Sequence, residues 1–325
     1  MSNEITARLK IYAVGGAGIN LAKTFEVDRG REIPASATPD LTYVDTSRAN
    51  LQGLEDNDNV FLIDGKDGSG KIRGLNAADI VPIIPPLLNK YKPGDMNVVV
   101  FSASGGSGSV GGPLIAGELL SRGLPVVCLV VGSSESAKAT ENTIRSIKTL
   151  EAQVDKARAP LVMAYEHNDD RKRSEVDHVF RHLISSLGVL ASRQNAEMDS
   201  TDILHVLRFD RATSVTPRLA TISVHRSNET LDPDAQYISM ASLYADPDAP
   251  TTDIRPEYHA AGYLPHNKIE GAQVFHFPVR LDEVKGILAH LEKVERGYKD
   301  DTQTRVLAQR ALDDNDVVTD SGLVL

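Results

Sequence analysis

The sequence predicts an α/β protein: a parallel-sheet domain, a long central helix, a smaller α+β second domain, a C-terminal helix and an acidic tail. Three observations predict it. Apolar strand-like runs alternate with helix-like runs through the first half of the chain. A single long run with helical period follows, and after it the texture changes to looser strands and loops. Near-continuous apolar strands alternating with helices indicate a parallel sheet covered on both faces.

The strand runs are ARLKIYAV, DLTYVD, NVFLIDG, DMNVVVFSAS, LPVVCLVVG and APLVMAY. Between them lie the helix-like LAKTFEV, PLIAGELLSRG and ATENTIRSIKTLEAQV. The stretch 174–195 keeps a helical period through Val176, Val179, Leu183, Ile184, Leu187 and Leu190. Ser174 stands where an N-cap would, with Asp177 at the capping-box acid position. LATISVH, AQYISMASLYA and AQVFHFPVR are the strands of the second domain. LDEVKGILAHLEKVERGYKDD is an amphipathic helix with Leu281, Val284, Leu288, Leu291 and Val294 on one face. The chain ends with Asp313, Asp314, Asp316 and Asp320 and no basic residue among them, which reads as a flexible acidic tail. The expected boundaries are 1–173, 174–198, 199–280, 281–312 and 313–325.

Composition bounds the function. A chain of 325 residues with 41% hydrophobic residues has area for a sizeable core. A formal charge of −10 argues against a nucleic-acid grip by the whole surface, so no direct nucleic-acid partner is expected. No run approaches the ~20 apolar residues of a membrane span, and MSNEITARLK has no signal-peptide core. The single cysteine, Cys128, lies in an apolar strand run. A reducing cytoplasmic setting, with no membrane partner, is the expectation.

Two glycine-rich turns each follow a strand and open a helix: Gly15–Asn20 and Ser104–Gly112. A helix N-terminus offers unpaired N–H groups and partial positive charge, and glycine lets that backbone approach an anion. Two such loops at one end of one sheet read as a phosphate cradle. In a dinucleotide fingerprint, Gly16 and Gly18 would need a third glycine where Leu21 stands. A P-loop reading of 65–71 fails at Ile72, where a hydroxyl belongs. That stretch reads as a third loop toward the phosphates, with Lys71 or Arg73 as charge partners, or as a solvated loop.

These motifs, in this order, resemble the tubulin and FtsZ superfamily. ASGGSGSVGG is similar to the tubulin signature loop, with Ser107 in the threonine place. GGAGIN is similar to the first nucleotide loop, VDTSRAN to the second, and EMDSTDILHVL to the loop that follows the central helix and carries two acids. Glu197 departs from the family's usual asparagine. Within the superfamily the chain resembles most the tubulin-like filament proteins of large bacteriophages, the PhuZ group.

The resemblance implies a GTPase that binds GTP or GDP with Mg²⁺, polymerises with itself and helps centre a phage replication compartment in the host cytoplasm. It implies phosphate and metal contacts from Gly15, Gly16, Ala17, Gly18, Asn20, Asp45, Thr46, Ser104, Gly105, Gly106, Ser107, Gly108 and Ser109. Glu135 would bond the ribose, with Asn168 and Asp177 on guanine, and Asp199 and Asp202 would serve hydrolysis. Each acid has a plainer reading: a turn cap for Asp45, a solvated charge for Glu135, a capping-box acid for Asp177, helix capping for Asp199 and Asp202. No metal ligand set is fixed by the sequence.

Asp177 and Asp199 are 22 positions apart, about 30 Å on a helix. Acids that far from a base-reading Asp177 would serve the nucleotide of the next subunit, which predicts head-to-tail assembly. The tail would dock on a neighbouring subunit or serve solubility. The alternatives are a plasmid-segregation or cell-division filament protein and, from another class, a nucleotide-dependent oxidoreductase.

Overall fold

The computed structural model describes residues 7–28, 37–64, 68, 70, 72–169, 171–192, 195, 197–245, 247–248, 251–264 and 274–316. In chain order, the first half holds β1 (Arg8–Val14), α1 (Gly15–Asp28), β2 (Thr38–Asp45), β3 (Val60–Leu62), α2 (Arg73–Ile80), α3 (Ile84–Lys90), β4 (Met96–Ser102), α4 (Ser107–Ser121), β5 (Val126–Gly132), α5 (Ala137–Ala157) and β6 (Leu161–His167). Then come α6 (Arg173–Ala191), α7 (Ser200–Leu207), β7 (Leu219–Ile222), β8 (Tyr237–Tyr244), β9 (Tyr258–Tyr263), β10 (Val274–Arg280) and α8 (Asp282–Asp316).

The strands form one sheet of order β3-β2-β1-β4-β5-β6-β7-β10-β8-β9 among the described residues. It is parallel from β3 through β7, and β10 is antiparallel to both β7 and β8. The reason lies in the strands themselves. In β1, Leu9, Ile11 and Ala13 face a layer containing α1 and α6, while Tyr12 and Val14 face one containing α3, α4 and α5. β4 and β5 divide their apolar residues in the same way, so both faces of the sheet are buried. Cys128 is fully buried in β5, where burial pushes its thiol well above the ordinary range.

The strands of 199–280 join the first sheet, because β7 pairs with β6 and carries it onward. Two bounds differ from the expectation. The central helix ends at Ala191, short of 198, and α7 begins at Ser200. The last helix continues through 313–316, the start of the stretch read as a tail, while Asp320 lies outside the described residues.

α8 packs its first half on α5, with Lys148 Nζ 2.9 Å from Glu292 Oε1 and Val284 and Leu291 buried. From Lys299 through Leu307 every residue is exposed.

Candidate functional site

β1, β4 and β5 all end at one edge of the sheet, and a cavity of about 470 Å³ opens there. The two glycine loops form its floor. They meet backbone to backbone: a Cβ on Gly15, whose φ is +74°, would lie 2.8 Å from the Gly108 nitrogen, and one on Gly108 would lie 2.9 Å from the Val14 oxygen. These glycines therefore serve loop-to-loop contact as well as access for an anion. No side chain caps the N-terminus of α4, so its first N–H groups are presented to the cavity by backbone alone.

Of the residues singled out from sequence, Gly15, Gly16, Ala17, Asn20, Asp45, Ser104, Gly105, Gly106, Ser107, Gly108, Glu135, Asn168 and Asp177 line this cavity. Gly18, Thr46 and Ser109 lie outside its lining. Gly18 lets α1 press on β4, where a Cβ would meet the Val100 oxygen at 2.3 Å. Thr46 Oγ1 is 2.6 Å from Ser107 Oγ, and Ser109 Oγ donates to the Gly106 carbonyl at 3.0 Å. Gly68 and Gly70 of the third loop line the cavity. Lys71 lies outside the described residues. Arg73 does not line the cavity: its guanidinium donates to the Asn142 carbonyl, Ser146 Oγ and Thr149 Oγ1 on α5.

Sequence reasoning missed Ser47, Asn50, Ser102, Ser133 and Arg173, which also line the cavity. Asn50 carried a signal, since it closes the VDTSRAN stretch. Its amide donates to Asp45 Oδ2 at 2.7 Å, and Asp45 Oδ1 accepts from the Thr46 and Ser47 N–H groups at 2.7 and 3.3 Å. Asp45 is thus the cap of its own turn and a wall of the cavity together.

Asp177 does not cap α6. The helix begins at Arg173 with Lys172 in the N-cap place, so the Ser174–Asp177 capping box is not formed. Asp177 sits one turn in, half-buried at the cavity wall, its carboxyl without a hydrogen-bond partner among the described residues. Burial raises its carboxyl above the usual range, and Arg173 and Arg181 partly offset that. Across the cavity, Glu135 belongs to a braced loop. Ser133 and Ser134 donate to Asp169, at 2.6 Å from Ser133 Oγ, and Tyr298 of α8 donates to the Ser134 carbonyl at 2.8 Å.

Asp199 and Asp202 are elsewhere. Asp199 caps α7, accepting from the Thr201 and Asp202 N–H groups at 2.7 and 3.0 Å, and Asp202 Oδ2 accepts from the Asp199 N–H at 3.0 Å. Both halves of a capping box are therefore present. Tyr258 donates to the other Asp202 oxygen at 2.9 Å. Backbone donors hold the Asp199 carboxyl below its usual range.

The start of α7 lies at the opposite edge of the sheet. Ser200 shares a small cleft with Asp95, Met96 and Pro125, at the amino ends of β4 and β5, whereas the cavity takes Ser102 at the carboxyl end of β4. β4 has 7 residues, so the two edges are about 20 Å apart. α6 accounts for about 21 Å of the distance from Asp177 to Ala191, and the chain then turns. The acids are thus at the far end of the strands rather than at the tip of one unbroken helix.

Among the described residues no group of three or more His, Cys, Asp or Glu is placed to hold a metal, and no helix is long and apolar enough to cross a membrane.

Two backbone loops at the carboxyl edge of a mostly parallel sheet, with an acid-bearing helix start at the other edge, define a tubulin-like architecture. The family model for the C-terminal domain of phage tubulin-like protein matches residues 198–279. A phage tubulin-like protein of Pseudomonas phage 201phi2-1 is 31% identical over 252 residues, 77% of either chain. That of Pseudomonas phage phiKZ is 28% identical over 330 residues, 98% of either chain. Among solved structures, a protofilament of TubZ from bacteriophage PhiKZ superposes with a TM-score of 0.84 at 26% identity, over 91% of this chain and 92% of that one. The phage tubulin PhuZ with GDP gives 0.82 at 26% identity over the same shares. The chain belongs to the family of phage tubulin-like proteins. Membership leaves no ground for the oxidoreductase alternative.

Proposed function

We propose that this protein is a GTPase that polymerises head to tail, with hydrolysis completed by Asp199 and Asp202 of the neighbouring subunit. The observation that carries the reading is the placement of cavity and acids at opposite ends of the same strands, about 20 Å apart. A group that orients a water for attack must lie within ~3 Å of it. The acids of one chain do not meet that condition for the chain's own cavity. A second copy stacked end to end brings its amino edge over this carboxyl edge, and a heterologous contact of that kind propagates into a filament.

The cavity suits a guanine nucleotide. Helix N-termini and loop N–H groups take the phosphates, Glu135 the ribose, and the Asp177 carboxylate the guanine N1–H and amino group. Asn168 lies beside them. A Mg²⁺ ion fits a site with few protein ligands, because such ions are held by one or two carboxylates together with phosphate oxygens. Asp45 is the carboxylate that would hold it. When bound, the ion neutralises phosphate charge.

In the cell the filament would position a phage replication compartment in the host cytoplasm, a role that rests on family membership. The acidic tail would dock on a neighbouring subunit. The groove between α5 and α8 supports this, since Lys138, Arg145, Lys148 and Lys299 line it against Glu141 and Glu295. Deleting 313–325 should then raise the critical concentration.

Right-angle light scattering with GTP, GDP and a non-hydrolysable GTP analogue, followed by electron microscopy of the pellet, tests the main reading. Filaments with GTP and the analogue but not with GDP are expected. Equal scattering under all three conditions would remove the nucleotide-driven assembly.

A further inference from the structure

Three successive carbonyls of the loop at 103–105 turn toward the same helix. Ser146 Oγ is 2.8 Å from the Ala103 oxygen, and the Asn142 amide donates to the Ser104 and Gly105 oxygens at 3.1 and 3.4 Å. Asn142 and Ser146 are one turn apart on α5 and fully buried, and neither lines the cavity. They lie behind the loop, on the side away from the ligand space.

The geometry of the peptide unit makes this arrangement consequential. In a trans peptide the N–H points opposite to the C=O of the same plane. No cis peptide occurs among the described residues. Fixing the Ser104 and Gly105 carbonyls toward α5 therefore aims the Gly105 and Gly106 N–H groups the other way. Both residues line the cavity, and neither N–H has a hydrogen-bond partner among the described residues. Successive N–H groups aimed at one point form an anion-binding concavity.

Arg73 completes the device from α2. Its guanidinium donates to Ser146 Oγ and to the Asn142 carbonyl. A hydroxyl has one proton, so an oxygen already accepting from a cation keeps that proton to donate. The Ser146 proton is thereby left for two carbonyls at 2.8 Å, that of Ala103 and that of Asn142 one turn back on α5. Its distance to the Ser109 oxygen, 3.3 Å, is longer.

We infer that Asn142, supported by Ser146 and Arg73, is a positioning residue that turns the Gly105 and Gly106 N–H groups toward the terminal phosphates of a bound nucleoside diphosphate or triphosphate. The inference rests on the nucleotide site proposed above. It adds that the loop's orientation is imposed from behind by α5 and is not a property of glycine alone. Without Asn142 the two peptide planes are released to rotate, and the N–H groups are no longer pre-aimed.

The test compares thermal unfolding of the full chain alone, with GDP and with GMP, for the wild type, Asn142→Leu and Ser146→Ala. A ligand that binds only the folded state raises the midpoint according to its concentration over Kd. The wild type should gain more from GDP than from GMP. In Asn142→Leu the extra gain from GDP should collapse to that from GMP, corresponding to about a tenfold loss of GDP affinity for about 1.4 kcal/mol. Ser146→Ala should show a smaller loss of the same kind, and it decides the matter if Asn142→Leu shows no cooperative unfolding. A GDP preference kept in full by both variants overturns the inference. So does an equal loss of the GDP and GMP shifts, which marks a structural role only. A wild type that gains no more from GDP than from GMP overturns the nucleotide site itself.

Discussion

The two edges of the sheet are built on opposite plans. At the carboxyl edge, the Gly105 and Gly106 N–H groups and the half-buried Asp177 carboxyl face a cavity with no hydrogen-bond partner of their own among the described residues. At the amino edge, Asp199 and Asp202 satisfy each other's backbone, and Asp202 also accepts from Tyr258. One edge is incomplete without a ligand; the other is complete as a piece of folded chain. A group that looks fully employed in its own subunit can still be the missing part of another's site, because a carboxylate oxygen has more lone pairs than its cap bond uses.

Four substitutions would break or sharpen that contrast. Gly108→Val should have the largest effect. Its side chain would enter the space taken by the Val14 carbonyl, 2.9 Å from the first added carbon, and force the loops apart. Nucleotide binding, followed by fluorescent GDP, should disappear, with stability lowered by about 1–3 kcal/mol. Asp202→Ala comes next. GTP turnover in assembled protein should fall about 100-fold, while nucleotide affinity of the dilute subunit stays within about twofold, as expected for distant sites. Turnover that survives in pelleted Asp202→Ala filaments would end the trans-subunit proposal.

Asp177→Asn should lower guanine affinity about tenfold or more by competition assay, through loss of a charged acceptor. It should also raise the melting temperature of the nucleotide-free protein slightly. The folded carboxyl titrates above its unfolded value, so the unfolded chain loses this proton first. Stability therefore falls as pH rises through that window. The gain from asparagine should be present at pH 7 and vanish below about pH 4, where both states carry the proton. Tyr258→Phe should be mildest, removing one hydrogen bond to Asp202 for about 1 kcal/mol and reducing assembled turnover a few-fold.

The strand and helix alternation was legible because strands buried on both faces cannot avoid continuous apolar runs. The glycine loops were legible because each lies between a strand and a helix. Less visible were contacts made by side chains distant in sequence. Arg73 looks like a phosphate partner from its neighbours in the chain, yet α5 supplies it with three acceptors. Ser174 looks like a cap, yet the helix starts a residue before it. Ser109 and Gly18 sit inside the right motifs but face the protein: the Ser109 hydroxyl turns back to the Gly106 carbonyl, and Gly18 is the point where α1 presses on β4.

α8 gives the cavity a long pointer. Tyr298 ties the helix to the loop that carries Glu135, and 18 further residues run to Asp316, about 27 Å of helix. A rigid rod hinged at that hydrogen bond magnifies angle into distance. Each degree of tilt at Ser134 displaces the tip by about 0.5 Å over that length, so a shift too small to see at the ribose would be plain at the far end of the helix.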